Sequence, residues 1–166
     1  MSWNTPPDVS PGDSISATDK NLYDKGNLLY LFQRPMDFVI RNGSANYSAT
    51  TSTWQVVDST NLKITLTVNS GRVLCLAQFV VDTDASAIGE FSFNRDTAET
   101  LNSANTGLSR VASNQNDIHI TQMGVFESLT VGSHDFYLYF RNQSATNSVK
   151  ILNNADFSIQ FFVIEI

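Results

Sequence analysis

The spacing of hydrophobic and polar residues changes character near Pro35. From Met36 onward, apolar residues recur with a period of two, which is the period of a β-strand. Residues 62–68 alternate cleanly between the two classes, and so do residues 134–141. Turn-forming clusters such as 153–156 separate these runs. Many short strands with frequent turns predict an all-β fold, an antiparallel sandwich or barrel.

Two predicted strands, residues 73–81 and 157–166, are apolar on both faces. Gln78 is the only polar residue on the second face of the first strand, and Gln160 and Glu165 interrupt the other strand. Such strands need cover on both sides. We predict a homo-oligomer in which copies of the chain supply it, the alternative being cover by loops or an N-terminal helix. The predicted interface residues are Leu74, Leu76, Val80, Phe162, Ile164 and Ile166.

Residues 1–35 differ from the remainder of the chain. Three of the four prolines lie within the first 11 residues, which predicts an extended arm containing Trp3. Between residues 18 and 34, helical spacing predicts one short helix that ends before Pro35. The helix either packs on its own domain or docks on a neighbour. We therefore divide the chain into an arm, residues 1–35, and a β-domain, residues 36–166. The apolar stripe of the helix includes Leu22, Leu29 and Phe32.

Composition and charge exclude several classes of protein. Asn, Ser and Thr together account for 50 of the 166 residues, whereas charged residues make up only 16%, which argues against a helical bundle. A net charge of −6 argues against binding to nucleic acid or to an anionic membrane surface. No apolar run reaches the roughly 20 residues of a membrane helix, and the polar N-terminus does not resemble a secretory signal.

The sequence contains no recognisable catalytic set, so we predict neither enzymatic activity nor a cofactor. Cys75 is the only cysteine, and His119 and His134 lie in different strands without further ligands at metal-binding spacing. Asp82 and Asp84 offer two carboxylates after a strand, but a solvated loop is favoured over a calcium site. We therefore predict no metal site.

Two tyrosines remain as candidates for contact with a ligand. Tyr137 and Tyr139 lie on the polar face of their strand, where they would stack on a sugar, contact a protein, or be ordinary half-exposed strand residues.

Several segments, taken in order, resemble tailed-bacteriophage virion proteins. The N-terminal leader of those proteins is matched by a Trp-Asn-Thr-Pro start, a Gly-Asp-Ser-Ile-Ser-Ala turn and an Asn-Leu-Leu helix. Further resemblances are an early strand pair, a Gly-Ser-His entry to a strand, and a closing Val-Ile-Glu-Ile strand. The matching segments are residues 2–7, 12–17, 21–31, 54–74, 129–136 and 157–166.

This resemblance implies a jelly roll of the TNF/C1q-like kind that is trimeric and displayed on a phage particle. It implies a capsid decoration or cement protein on the outer head surface, or a head fibre. The arm would attach to the major capsid protein or another virion protein through Trp3, Leu22, Leu29 and Phe32. The alternative is a tail-fibre module that recognises a host glycan through Tyr137 and Tyr139.

Overall fold

The computed structural model describes residues 34–166, and within this part of the chain every regular element is a β-strand. The strands form two antiparallel sheets that pack together as a sandwich. The all-β fold predicted from the period-two pattern is therefore confirmed. The predicted helix lies almost wholly outside the described residues, and the division of the chain at residue 35 stays a prediction. None of the described residues belongs to a helix long and apolar enough to cross a membrane.

Six strands build the first sheet, with β5 at its centre. They are β1 (Met36–Arg41), β2 (Tyr47–Ala49), β5 (Val73–Thr83), β9 (Gln115–Phe126), β11 (Val149–Leu152) and β12 (Ile159–Glu165). One edge of β5 pairs with β9, and the other pairs first with β12 and then with β11. β1 continues the sheet beyond β12, and β2 continues it beyond β11.

The second sheet has β10 and β6 at its centre. Its strands are β3 (Gln55–Val56), β4 (Lys63–Val68), β6 (Gly89–Arg95), β7 (Glu99–Thr100), β8 (Ser109–Val111) and β10 (Gly132–Asn142). Without β2, β3, β7 and β11, the strand order is β1-β12-β5-β9 in the first sheet and β4-β10-β6-β8 in the second. Among these eight strands, six of the seven connections cross between the sheets, which is the predicted jelly-roll arrangement.

The core lies between the sheets and is rich in aromatic rings. Phe161 of the first sheet stacks on Phe93 of the second, with 5.6 Å between ring centroids. Phe79 and Phe91 also meet across the sheets, in a tilted arrangement with 5.2 Å between ring centroids. Cys75 is fully buried on the inward face of β5 and belongs to this core. Such ring pairs contribute about 0.5–1.5 kcal/mol each beyond the area they bury.

The abundance of asparagine is explained by the turns. Asn102, Asn114 and Asn147 have positive φ angles, a conformation that asparagine adopts more readily than most residues. Asn142 is fully buried, and its side chain accepts from Ile88 N at 3.1 Å and donates to Thr146 O at 2.8 Å. Asparagine side chains thus take over hydrogen bonds that turn backbone cannot make with neighbouring strands.

Candidate functional site

The outward side of the first sheet carries regular rows of side chains that cross β1, β12, β5 and β9. The strand register sets these rows, because directly opposed residues of antiparallel strands project from the same face. The first row is Met36, Ile164, Leu74 and Val125, and the second is Phe38, Phe162, Leu76 and Met123. The third row is Ile40, Gln160, Gln78 and Thr121. We call the eight residues of the first two rows the apolar face.

Large apolar side chains on this side of the sheet are unusually exposed to solvent. Met36, Phe38, Ile40 and Met123 are between 54% and 65% exposed, and Val131 is the only other large apolar residue among residues 34–166 that is comparably exposed. The rings of Phe38 and Phe162 stack on one another with 5.5 Å between centroids. No charged side chain occurs in the three rows. Apolar surface without charge is typical of the centre of a protein–protein interface.

Four of the six predicted interface residues belong to the apolar face, and two lie elsewhere. Leu74, Leu76, Phe162 and Ile164 are half-buried on it. Val80 is only 4% exposed, since it lines a pocket with Phe157 of the same chain instead of standing on the open sheet. Ile166 follows the end of β12, where its N–H donates to the Arg72 carbonyl at 3.0 Å.

The predicted interface did not include the residues that β1 and β9 contribute to the apolar face. The signal in β1 was the run of apolar residues at alternate positions from Met36 to Ile40, which the sequence does contain.

Tyr137 and Tyr139 lie on the outward side of the second sheet, and only Tyr139 is accessible. Tyr137 is 8% exposed, because its strand is central and Lys63 and Asn94 stand opposite it on the two neighbouring strands. Its hydroxyl lies 3.3 Å from the Asp135 carboxylate, and burial raises its pKa. The expectation of two accessible rings side by side is therefore not met.

A buried carboxylate that the sequence did not single out lies nearby on the same side of the second sheet. Glu90 is fully buried and accepts a hydrogen bond from Arg141 Nε at 2.7 Å. The Arg141 guanidinium also lies 4.6 Å over the Trp54 ring and donates to the carbonyl of Asn105. This network fastens the loop of residues 101–108 onto the sheet, which is a structural role.

Among the other candidate ligands, His134 and Asp84 are engaged within the fold. His134 Nδ1 lies 2.7 Å from Asp96 Oδ2, and its Nε2 lies 2.8 Å from the Thr130 carbonyl. Asp84 pairs with Lys150 at 2.9 Å and also accepts from Ser148, contacts that lower its pKa. Among residues 34–166, no three His, Cys, Asp or Glu side chains are placed to hold a metal ion together.

The predicted attachment residues Trp3, Leu22, Leu29 and Phe32 lie outside the described residues. Their role stays a prediction.

Comparison with known proteins adds little to this geometry. No protein-family model and no curated protein sequence matches the chain. Among solved structures, one similar chain is the C-terminal domain of EclA, a sugar-binding protein, with 14% identity, a TM-score of 0.36, and coverage of 91% of this chain and 99% of that one. Another is the enzymatically active domain of tailspike protein 4 of bacteriophage CBA120, with 8% identity, a TM-score of 0.29, and coverage of 76% and 19%. Similarity at this level says nothing about ligand or activity.

Proposed function

We propose that this protein is a structural component of a tailed-bacteriophage virion, a homotrimer that decorates and stabilises the outer surface of the head. The observation that carries the oligomer is the apolar face, where Met36, Phe38 and Met123 are more than half exposed and the other five side chains are only half-buried within the described residues. The virion assignment rests on the resemblance of the N-terminal leader and closing strand to phage virion proteins.

A second copy of the chain is the occupant that best fits the apolar face. A surface without charge can pack against itself, because it presents no like charges to repel and no polar groups that would lose their hydrogen bonds. In a trimer with threefold symmetry, each subunit contacts two neighbours, so the ring of subunits is closed and no copy of the interface is left unpaired. The competing occupant is the segment 1–33 of the same chain.

The oligomer is tested by the solution mass of the full chain, measured by light scattering. We expect three times the chain mass of 18.4 kDa. The double variant Phe38→Ser, Met123→Ser removes two exposed apolar side chains without touching the core, so it should shift the mass towards a monomer. Val131→Ser, which removes a 73% exposed apolar residue outside the face, is the matched control and should leave the trimer intact. A monomeric wild-type chain would refute the proposal.

Attachment to the virion is assigned to the arm. A decoration protein works mechanically, by bridging neighbouring capsid subunits, and three arms on one trimer bind more tightly than one. Deleting residues 1–35 should leave a folded trimer, since residues 36–166 contain their own core, but the trimer should no longer bind heads in a sedimentation assay. Decoration by the truncated chain would contradict the role of the arm.

Location separates this proposal from a receptor-binding role. Immunogold labelling of intact particles should place the protein on the head. Labelling at the tail tip would instead favour the tail-fibre alternative.

A further inference from the structure

Beyond the apolar face, the outward side of the first sheet becomes polar and contains a pocket. The change begins at the third row, where Gln160 of β12 and Gln78 of β5 stand directly opposite each other. Past them, Val80 is opposed by His119 of β9, and a turn of the chain closes the other side. The cavity measures about 160 Å³. The lining side chains used below are Gln78, Gln160, His119, Asp156, Phe157 and Ser158.

The polar side chains of this pocket have no hydrogen-bond partner among the described residues. Gln78, Gln160 and His119 make no side-chain hydrogen bond within residues 34–166, and the same holds for Asp156 and Ser158. By contrast, the side chains of Asn142 and Asn153, which are buried in turns, are hydrogen-bonded, whereas Gln78, His119 and Asp156 are exposed. Five uncommitted polar groups that converge on one cavity have the arrangement of a ligand-binding site.

The wall of the pocket is held rigidly. The Asn154 side chain accepts hydrogen bonds from Asp156 N at 2.9 Å and Phe157 N at 3.1 Å, which fixes the turn that carries both residues. Asn153, which is 2% exposed, ties the same turn to residues 43–46 through Gly43 N and the Ala45 carbonyl. A site on such a turn does not have to be ordered when the ligand binds, which favours affinity.

The chemistry of the lining selects a neutral ligand rich in hydroxyl groups. Glutamine amides both donate and accept, Asp156 accepts, and a hydroxyl group can satisfy either kind of partner. The Phe157 ring, with the His119 imidazole at 6.1 Å in an edge-on arrangement, adds an aromatic surface for C–H groups. An anion would meet the Asp156 carboxylate and a net charge of −6, and one carboxylate alone does not hold a metal ion.

We propose that this pocket binds one ring of a neutral saccharide. Its volume lies below the range of about 300–1,000 Å³ that is typical of sites for drug-sized ligands, so it accommodates a single sugar unit of a longer glycan. The proposal does not depend on the proposed virion role, because it rests on residues outside the apolar face. In a trimer, three such pockets would act together on a repeated glycan.

The test uses the full chain and a set of neutral monosaccharides: glucose, galactose, mannose, rhamnose and N-acetylglucosamine. Saturation-transfer NMR should detect at least one of them at concentrations up to about 20 mM, because a one-ring ligand binds in the millimolar range. The same sugar should shift the side-chain amide signals of Gln78 and Gln160.

Variants locate the binding. Gln78→Ala and Gln160→Ala should each weaken it by about three- to tenfold, the loss expected for one hydrogen bond, and Phe157→Leu should weaken it while preserving apolar bulk. Gln143→Ala, a glutamine of the exposed surface, is the matched control and should bind normally.

Two outcomes would overturn the proposal. They are the absence of binding by every sugar in the set, and binding that all three pocket variants leave unchanged. Loss of the trimer in the light-scattering test would leave the sugar result standing, so the two proposals fail separately.

Discussion

At the scale of single residues, the fold places ionisable groups where hydrogen bonds decide their charge. His134 is the clearest case, since Asp96 and the Thr130 carbonyl are both acceptors and lie within 2.8 Å of its two ring nitrogens. Only the doubly protonated imidazolium donates from both nitrogens. Burial lowers the pKa of His134, but these hydrogen bonds more than offset that effect, and the pKa lies above the ordinary histidine value.

This geometry predicts how stability depends on pH. Because the pKa of His134 is raised on folding, its contribution to the free energy of unfolding is complete below the unfolded value of about 6.5 and is lost as the pH rises through the folded value. Asp96→Asn keeps the shape of the contact but removes the charge, so it should lower the pKa of His134 and flatten this decline. NMR titration of the imidazole and denaturant melts at several pH values measure both effects. An unchanged His134 titration in Asp96→Asn would contradict the assignment.

The pKa of Glu165, at the end of β12, is shifted in the opposite direction from that of His134. It is 3% exposed and accepts hydrogen bonds from the backbone N–H groups of Asn69 and Ser70. Burial raises the pKa of this carboxyl, but the hydrogen bonds lower it by more than burial raises it. The net pKa of Glu165 is therefore below its usual range. Its contribution to stability is therefore present above the ordinary value of about 4.3 and is lost as the pH falls below it.

Replacing Glu165 by Gln should therefore lower the free energy of unfolding at neutral pH by about 1–2 kcal/mol, because charge-assisted hydrogen bonds to a buried carboxylate are lost. Glu127→Gln is the matched control, since Glu127 makes only an exposed ion pair with Arg72 and should cost less than about 1 kcal/mol. Denaturant unfolding of the two variants at pH 7 makes the comparison. Equal losses would mean that the turn does not depend on the Glu165 charge.

At the scale of elements, the loop of residues 101–108 depends on one glycine. Gly107 has a φ of +70°, and a Cβ there would lie 2.5 Å from the Phe91 carbonyl oxygen and 2.7 Å from the Trp54 ring. Gly107→Ala should therefore cost more than about 2 kcal/mol of stability, since the left-handed conformation alone costs about 1–2 kcal/mol for a residue with a side chain. Thr106→Ala, at the exposed neighbouring position, should change stability little in the same thermal melts. Equal melting temperatures for the two variants would mean that the loop does not pack as described.

The elements also show what the sequence could predict and what it could not. The alternation of residues 62–68 and 73–81 corresponds to β4 and β5, because side-chain direction follows from local period. The alternation predicted for residues 157–166 does not extend to Phe157, because β12 begins only at Ile159.

Register between strands is not a local property, and for that reason the pocket was not predicted. Gln78 and Gln160 each interrupt an otherwise apolar strand, which is visible in the sequence. Only the pairing of β5 with β12 places them opposite each other, and only the pairing with β9 brings His119 alongside. Lone polar residues in two otherwise apolar strands were the available signal.

At the scale of the whole molecule, the proposed trimer couples folding to association. Cys75 lies in β5 between β9 and β12, where it is completely buried, and burial raises the pKa of its thiol. It should react with a thiol reagent only when the domain opens. Because association of the apolar faces stabilises only the folded chain, opening should become rarer as protein concentration rises.

The labelling rate of Cys75 should therefore fall with increasing protein concentration across the range in which light scattering detects dissociation of the trimer. Phe38→Ser, Met123→Ser weakens association and should remove that dependence while the domain stays folded. In a Cys75→Ser background, Val131→Cys supplies a 73% exposed thiol that should react immediately at every concentration, which controls for reagent depletion. If wild-type labelling were independent of concentration while the mass changed, the apolar face would not couple association to the stability of the sandwich, and the subunits would have to meet through another surface.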